Sequence, residues 1–142
     1  DPKLKLMPYA DTIHYEVSDF IHTPFNNESF EVITATSVIE HGFDSQSLLK
    51  EVSRLLRPGG YFIASFDYWP EKVDTSGIPF FGMAWRIFSE QEVLQFLAEA
   101  RGHNLIPCGE IVLKAQDKAI NYAERSYTFA WLAVRKSELQ KR

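Results

Sequence analysis

Glu40 and His41 stand side by side, directly after the nearly continuous apolar or small-residue run Phe30–Ile39. An imidazole ordinarily titrates near pH 6.5, so a His at the end of a buried strand suits proton transfer beside an attacking nucleophile. A lone His in such a place also serves as a satisfied structural side chain or as packing for a cofactor. Its neighbour Glu40 reads as an anchor that hydrogen-bonds backbone at the turn rather than as a base. A second constellation lies in the stretch 67–88, where Tyr68, Trp69, Phe80, Phe81, Trp85 and Arg86 fall among prolines and glycines. It fits the wall of an apolar pocket with a few polar groups. It equally fits a satellite core under a long loop. Trp85-Arg86 would stack on or pair with an anionic substrate.

Other chemistries are poorly served. His14, His22, His41 and His103 have no spacing that groups three ligands, so no metal site is expected. Gly59 and Gly60 follow a helical pattern and precede a strand, the reverse of the strand–loop–helix order of a phosphate cradle. There is no Gly-x-Ser-x-Gly elbow, and Cys108 has no nucleophile signature around it. With 15 basic against 19 acidic residues in 142, the net charge of −4 leaves no broad footprint for nucleic acid. A single cysteine rules out an internal disulfide framework and points to a reducing compartment, the cytoplasm. No apolar run approaches the roughly 20 residues that span a bilayer, and Asp1–Lys5 leads into no apolar segment of a secretory signal. One soluble domain, 1–142, is the expectation.

These side chains need elements to hold them. The β-branched run Phe30–Ile39 reads as a strand buried on both faces. Asp44 or Ser45 caps a helix with Leu48, Leu49, Val52, Leu55 and Leu56 on one stripe, and Pro58-Gly59-Gly60 stops it. Tyr61–Phe66 follows as a second buried strand. Strand, helix and strand with short joints make a βαβ unit, hence a parallel pair with a right-handed crossover. Ile13–Phe20 reads as a shorter strand upstream. Ser89-Glu90-Gln91-Glu92 is a capping box opening a helix with Val93, Leu94, Phe96, Leu97 and Ala100 on its apolar face, and Gly102 marks its end. Asn104–Val112 and Arg125–Lys136 read as a terminal strand pair, and Lys114–Glu124 between them as a loop or a short helix.

The run Asp19-Phe20-Ile21-His22-Thr23-Pro24-Phe25-Asn26-Asn27-Glu28-Ser29-Phe30-Glu31-Val32-Ile33, then Ser37-Val38-Ile39-Glu40-His41, then Leu49-Lys50-Glu51-Val52-Ser53-Arg54-Leu55-Leu56-Arg57-Pro58-Gly59-Gly60-Tyr61, resembles class I S-adenosylmethionine-dependent methyltransferases of the type 11 group. The resemblance covers Asp19–Phe66 and extends to Ser89–Arg135. It implies an α/β fold, a Rossmann-like methyltransferase sheet of parallel strands with a C-terminal antiparallel hairpin. It further implies S-adenosyl-L-methionine as cofactor and a small-molecule methyl acceptor. Asp19 would accept a hydrogen bond from the adenine amino group, and the Phe20 N–H would meet a ring nitrogen. Thr36 and Ser37 would border the methionine part. His41 would be the catalytic residue, with Tyr68, Trp69, Trp85 and Arg86 on the substrate side.

The same resemblance calls for a strand, a Gly-x-Gly-x-Gly loop and an acid that holds ribose, all ahead of Asp19. No glycine precedes Gly42. The expected domain is therefore one truncated in its N-terminal half, with 13–66 as core, 67–88 as substrate-side loop, and 89–136 as capped helix and strand pair. Loss of neighbouring strands would leave Phe30–Val38 as an open edge, so a homo-oligomer built on that edge is expected. The rival reading is a non-catalytic, methyltransferase-derived interaction module.

Overall fold

The computed structural model describes residues 2–138, and the outer bounds of the expected domain, 1 and 142, lie outside them. Phe30–Thr36 forms β1 and Leu56–Tyr68 forms β2, joined by helix α1, Ser45–Leu55. The Asp44 carboxylate accepts from the Ser47 N–H and starts α1, which then buries Leu48, Leu49, Val52 and Leu55. β1 and β2 run parallel and adjacent, so the predicted βαβ unit is present. Phe30 pairs with Leu56 but Val32 pairs with Tyr61, so Arg57–Gly60 bulge opposite Glu31. Gly60 permits this close approach, since a Cβ there would lie 2.8 Å from the Glu31 carbonyl oxygen.

β5, Arg125–Lys136, pairs antiparallel with β2 over eight positions, and β3, Leu105–Pro107, pairs antiparallel with the far side of β5. Sheet order is β1-β2-β5-β3, and β4, Ile120–Tyr122, folds onto the start of β5 as a hairpin. α2, Glu90–Gly102, opens with the expected capping box between Ser89 and Glu92. Both helices pack on one face of the sheet, where Phe62, Ala64, Phe66, Leu132 and Val134 meet Leu48, Leu49, Val52, Val93, Phe96 and Leu97 in the main core.

Four expectations need correction. The helix ends at Leu55 rather than at Pro58-Gly59-Gly60, and the second strand starts at Leu56, which turns extended, rather than at Tyr61. Ile13–Phe20 is not a strand: apart from an isolated bridge between Asp19 and His22 it is irregular, and Ile13 and Val17 are exposed. An alternating pattern forms a strand only where a neighbour satisfies its backbone N–H and C=O groups. Asn104–Val112 contracts to Leu105–Pro107, because Pro107 has no N–H to donate and Gly109 turns away at φ +71°. Neither β1 nor β2 is buried on both faces, since the helices cover one side only. Val32, Tyr61, Ile63, Phe129 and Trp131 lie exposed on the other, with Trp131 73% accessible. The segment Lys114–Glu124 is irregular except for β4.

A buried clasp ties the segment ahead of β1 to α1. The Glu51 carboxylate accepts from the Thr23 N–H at 2.8 Å and the Thr23 hydroxyl at 2.7 Å. Arg54 donates two bonds to the same carboxylate and others to the carbonyls of Phe25 and Thr23 and to the Asn27 side chain. The Arg54 guanidinium, and after it the Thr23 donors, hold the Glu51 carboxyl down to about 2 against the opposing cost of burial. Glu51→Gln should cost about 1–3 kcal/mol of stability. Because the folded carboxyl is depressed, its contribution is whole above its ordinary range and fades as pH falls toward about 2. Urea midpoints across acid pH should show that slope in the wild type and a flatter one in the variant.

Candidate functional site

The parallel ladder brings the carboxyl-terminal end of β1 beside the last third of β2, which runs on in the same direction to Tyr68. Thr36 lies opposite Ser65, and the Ser37 N–H donates to the Ser65 carbonyl at 3.0 Å. Ser37 takes a left-handed φ of +51°, which turns the chain out of the ladder, and the side chains of Thr36 and Ser37 are exposed there. A single 3-10 turn, Ile39–His41, follows, closed by Gly42 at φ +85°. It buries Ile39 and Glu40 and leaves His41 half-buried.

The loop after β2 returns across this turn. The Arg86 N–H donates to the Glu40 carbonyl at 2.9 Å, and His41 Nδ1 lies 3.3 Å from the Ala84 carbonyl. Gly42 sits so close beneath that a Cβ would fall 2.9 Å from the Ala84 Cβ. A carbonyl can only accept, so Nδ1 carries the proton and Nε2 is left with its lone pair, the form a general base requires. Among the described residues no hydrogen bond engages Nε2.

Two carboxylates lie buried beneath. Asp67, 5% exposed, accepts from the Trp85 indole N–H at 2.7 Å, with the Tyr127 hydroxyl in its surroundings. Glu40, 1% exposed, has its Oε2 without any hydrogen-bond partner. Burial pushes both carboxyls above their ordinary values, and the charge of Asp67 adds to the rise at Glu40. Tyr127 is pushed up to about 12, first by burial and then by the negative charges of Asp67 and Glu40. Sequence reasoning missed Asp67; the available signal was an acid that closes an otherwise apolar strand, Tyr61–Phe66.

Asp19 forms a tight turn, its Oδ1 accepting from the Ile21 N–H at 3.1 Å and its carbonyl from the His22 N–H. The Phe20 ring packs on Phe43 at 4.9 Å, which sets the pair next to the chain leaving His41 and Gly42. The Phe20 N–H makes no hydrogen bond among the described residues. Thr36, Ser37 and His41 lie together at the end of β1, while Phe20 reaches Phe43 and also lines, with Phe30, Val32 and Ile33, a cavity beside β1.

The four substrate-side candidates are not gathered into one wall. Tyr68 turns toward the helices and donates its hydroxyl to the Leu113 carbonyl at 2.5 Å. Trp69, with Lys118 over its ring at 4.6 Å, packs against a satellite core of Trp85, Ile87 and Tyr127. Trp85 is buried with its N–H committed to Asp67, so it has no donor left for an anion. Arg86 faces the helix side, its guanidinium 4.9 Å over the Phe88 ring, and lines a cavity of about 120 Å³ between α1 and α2 with Phe43, Ser45, Glu92 and Glu99. Of the two readings of 67–88, the structure forms the satellite core.

Raised carboxyls give stability that is whole below their ordinary range and lost as pH rises through the folded values. Urea denaturation followed by Trp fluorescence should show stability falling as pH climbs above the usual carboxylate range. Asp67→Asn keeps an acceptor for Trp85 and removes one ionisation, so its decline should be shallower.

Residues 3–64, less than half of the chain, match a family model described as a methyltransferase domain, type 11. Methyltransferase GfsG of Streptomyces halstedii is 34% identical over 50 residues, 35% of this chain and 18% of that protein. Among solved structures, geranyl diphosphate C-methyltransferase of Streptomyces coelicolor, in complex with Mg2+, geranyl diphosphate and S-adenosyl-L-homocysteine, superposes with a TM-score of 0.67 at 18% identity, over 95% of this chain and 59% of that one. A methyltransferase of Methanosarcina mazei gives 0.63 at 14% identity, over 96% and 76%. The [4+2]-cyclase SpnF gives 0.62 at 14%, over 87% and 55%. The chain thus spans a fifth of its curated relative and just over half of two of these neighbours. Residues 3–64 match the methyltransferase-domain pattern, and the chain has the Rossmann-like α/β fold of these solved methyltransferases.

Proposed function

We propose that this chain supplies the adenine-side and acceptor-side parts of a methyltransferase that moves the methyl group of S-adenosyl-L-methionine to a small-molecule acceptor in the cytoplasm. The observation that carries the reading is His41: its Nδ1 is held by the Ala84 carbonyl, and its Nε2 lone pair is left unengaged beside the Thr36–Ser37 rim. The rim suits the cofactor in part. Among the described residues the Phe20 N–H and one Asp19 carboxylate oxygen have no hydrogen-bond partner, as contacts to an adenine edge require. The chain before Gly42 holds no glycine for a loop against the carboxypropyl part.

The cofactor, when bound, supplies an electrophilic methyl carbon on a sulfonium. Asp19 and Phe20 orient its base, and the exposed hydroxyls of Thr36 and Ser37 border its methionine part. An acceptor hydroxyl or amine at the rim would lose its proton to His41 Nε2 as it takes up the methyl group that the cofactor would supply. Positioning supplies most of such a rate enhancement, with the base adding about 100- to 10,000-fold.

One feature favours the second reading, an interaction module. β1 is an edge strand, and the face carrying Val32, Ile63, Phe129 and Trp131 is uncovered among the described residues. Both readings accommodate a homo-oligomer formed on the β1 edge, and light scattering of a monodisperse monomer at micromolar concentration would contradict that assembly.

Calorimetric titration with S-adenosylhomocysteine separates the two. The methyltransferase reading expects submillimolar binding that Asp19→Ala abolishes, and no heat at millimolar ligand supports the module. For an active protein, His41→Ala should lower kcat by about 100-fold or more while leaving cofactor affinity unchanged.

A further inference from the structure

We propose that Phe81 is a specificity residue of this site, an apolar finger that contacts a hydrocarbon portion of the methyl acceptor; the inference rests on the methyltransferase reading. Phe80 and Met83 exchange both backbone hydrogen bonds at 3.0 Å, which makes Phe81-Gly82 a two-residue hairpin turn. Both turn residues have positive φ, +50° at Phe81 and +74° at Gly82. That turn is suited to Asn-Gly; a bulky L side chain in its first position is strained. Strain of this kind persists where something compensates it. Packing within the chain offers it only an edge contact with the Phe80 ring, since Phe81 is 88% exposed.

The hairpin base is firmly held. Ala84 lies against His41 and Gly42, Arg86 donates to the Glu40 carbonyl, the Trp85 indole donates to Asp67, and the Thr75 hydroxyl donates to the Trp85 carbonyl at 2.6 Å. Phe80 packs inward on Tyr122 at 4.8 Å, on His41 at 5.3 Å and on Trp85 at 5.6 Å. The Phe81 ring meets the Phe80 ring edge-on at 4.8 Å. A single ring therefore separates the exposed finger from the imidazole. Met83 and Tyr122 are exposed as well, which extends the apolar surface beside Phe81. An acceptor with an alkyl or isoprenoid-like part would bury these groups while presenting its polar atom to His41.

The test uses the whole chain with 1-octanol and ethanol as probes, read from the Met83 methyl and His41 ring resonances. Octanol should shift both and ethanol should not. Phe81→Asn should weaken octanol binding about tenfold and Phe81→Leu only slightly. Phe81→Asn should also melt at an equal or higher temperature, because Asn suits the turn. Unchanged octanol affinity in Phe81→Asn would overturn the proposal. So would a Phe81→Asn effect confined to self-association in light scattering or to pelleting with phosphatidylcholine vesicles, either of which makes the finger a docking element. Calorimetry with S-adenosylhomocysteine on the same samples keeps the two failures apart: octanol binding that depends on Phe81 without cofactor binding sinks the methyltransferase reading, not the apolar contact.

Discussion

The parallel register of β1 on β2 is the constraint from which the rest follows. Because α1 carries the chain back to start β2 beside β1, β1 ends at Thr36 level with Ser65, while β2 runs on in the same direction to Tyr68, so both strands discharge their chains on the same side of the sheet. Each exit must then turn without colliding with the other. Ser37 does so with a left-handed backbone and Gly42 with a second, while the loop after β2 returns over them through Arg86 and Ala84. An antiparallel pairing would send these exits to opposite ends of the sheet, and no rim would exist.

Closing that rim has an electrostatic cost. Glu40 and Asp67 are buried together, and one oxygen of Glu40 has no partner; an unsatisfied buried polar group costs about 1–3 kcal/mol. What the acids contribute is placement. Asp67 fixes the Trp85 indole, the Glu40 main chain receives Arg86, and between them the loop is pinned where it can fix the tautomer of His41. The satellite aromatic core of Trp85, Ile87 and Tyr127 supplies the offsetting apolar burial. Upstream, the Glu51–Arg54 clasp performs the corresponding task for the segment that carries Asp19 and Phe20.

Local signals predicted much of the local structure. The Asp44 cap, the Leu48, Leu49, Val52 and Leu55 part of the stripe and the Ser89–Glu92 capping box appear where side-chain spacing places them, and Arg125–Lys136 forms a strand with the expected bounds, whereas α1 stops at Leu55 and Leu56 with Pro58-Gly59-Gly60 joins β2. Failures came where structure depends on a neighbour distant in sequence. Ile13–Phe20 has the composition of a strand but nothing to pair with, and the continuous apolar run of β1 conceals that one of its faces meets no helix. The site divides the same way. Asp19, Phe20, Thr36, Ser37 and His41 are the residues that a short spaced pattern singles out, and the proposal rests on them. Asp67 is not among them, since only the folded path of 67–88 sets Trp85 against it, and Trp85 and Arg86 point to opposite sides of their strand-like segment.

The central claim is that the shared strand end is where a sulfonium nucleotide sits. Backbone amide resonances of the labelled chain, followed during titration with S-adenosylhomocysteine, test it at residue level. The account predicts that Phe20, Ser37 and His41 move together and saturate at one ligand concentration. Shifts confined to the cavity between α1 and α2, at Ser45 and Gln95, with the rim amides unmoved, would contradict it.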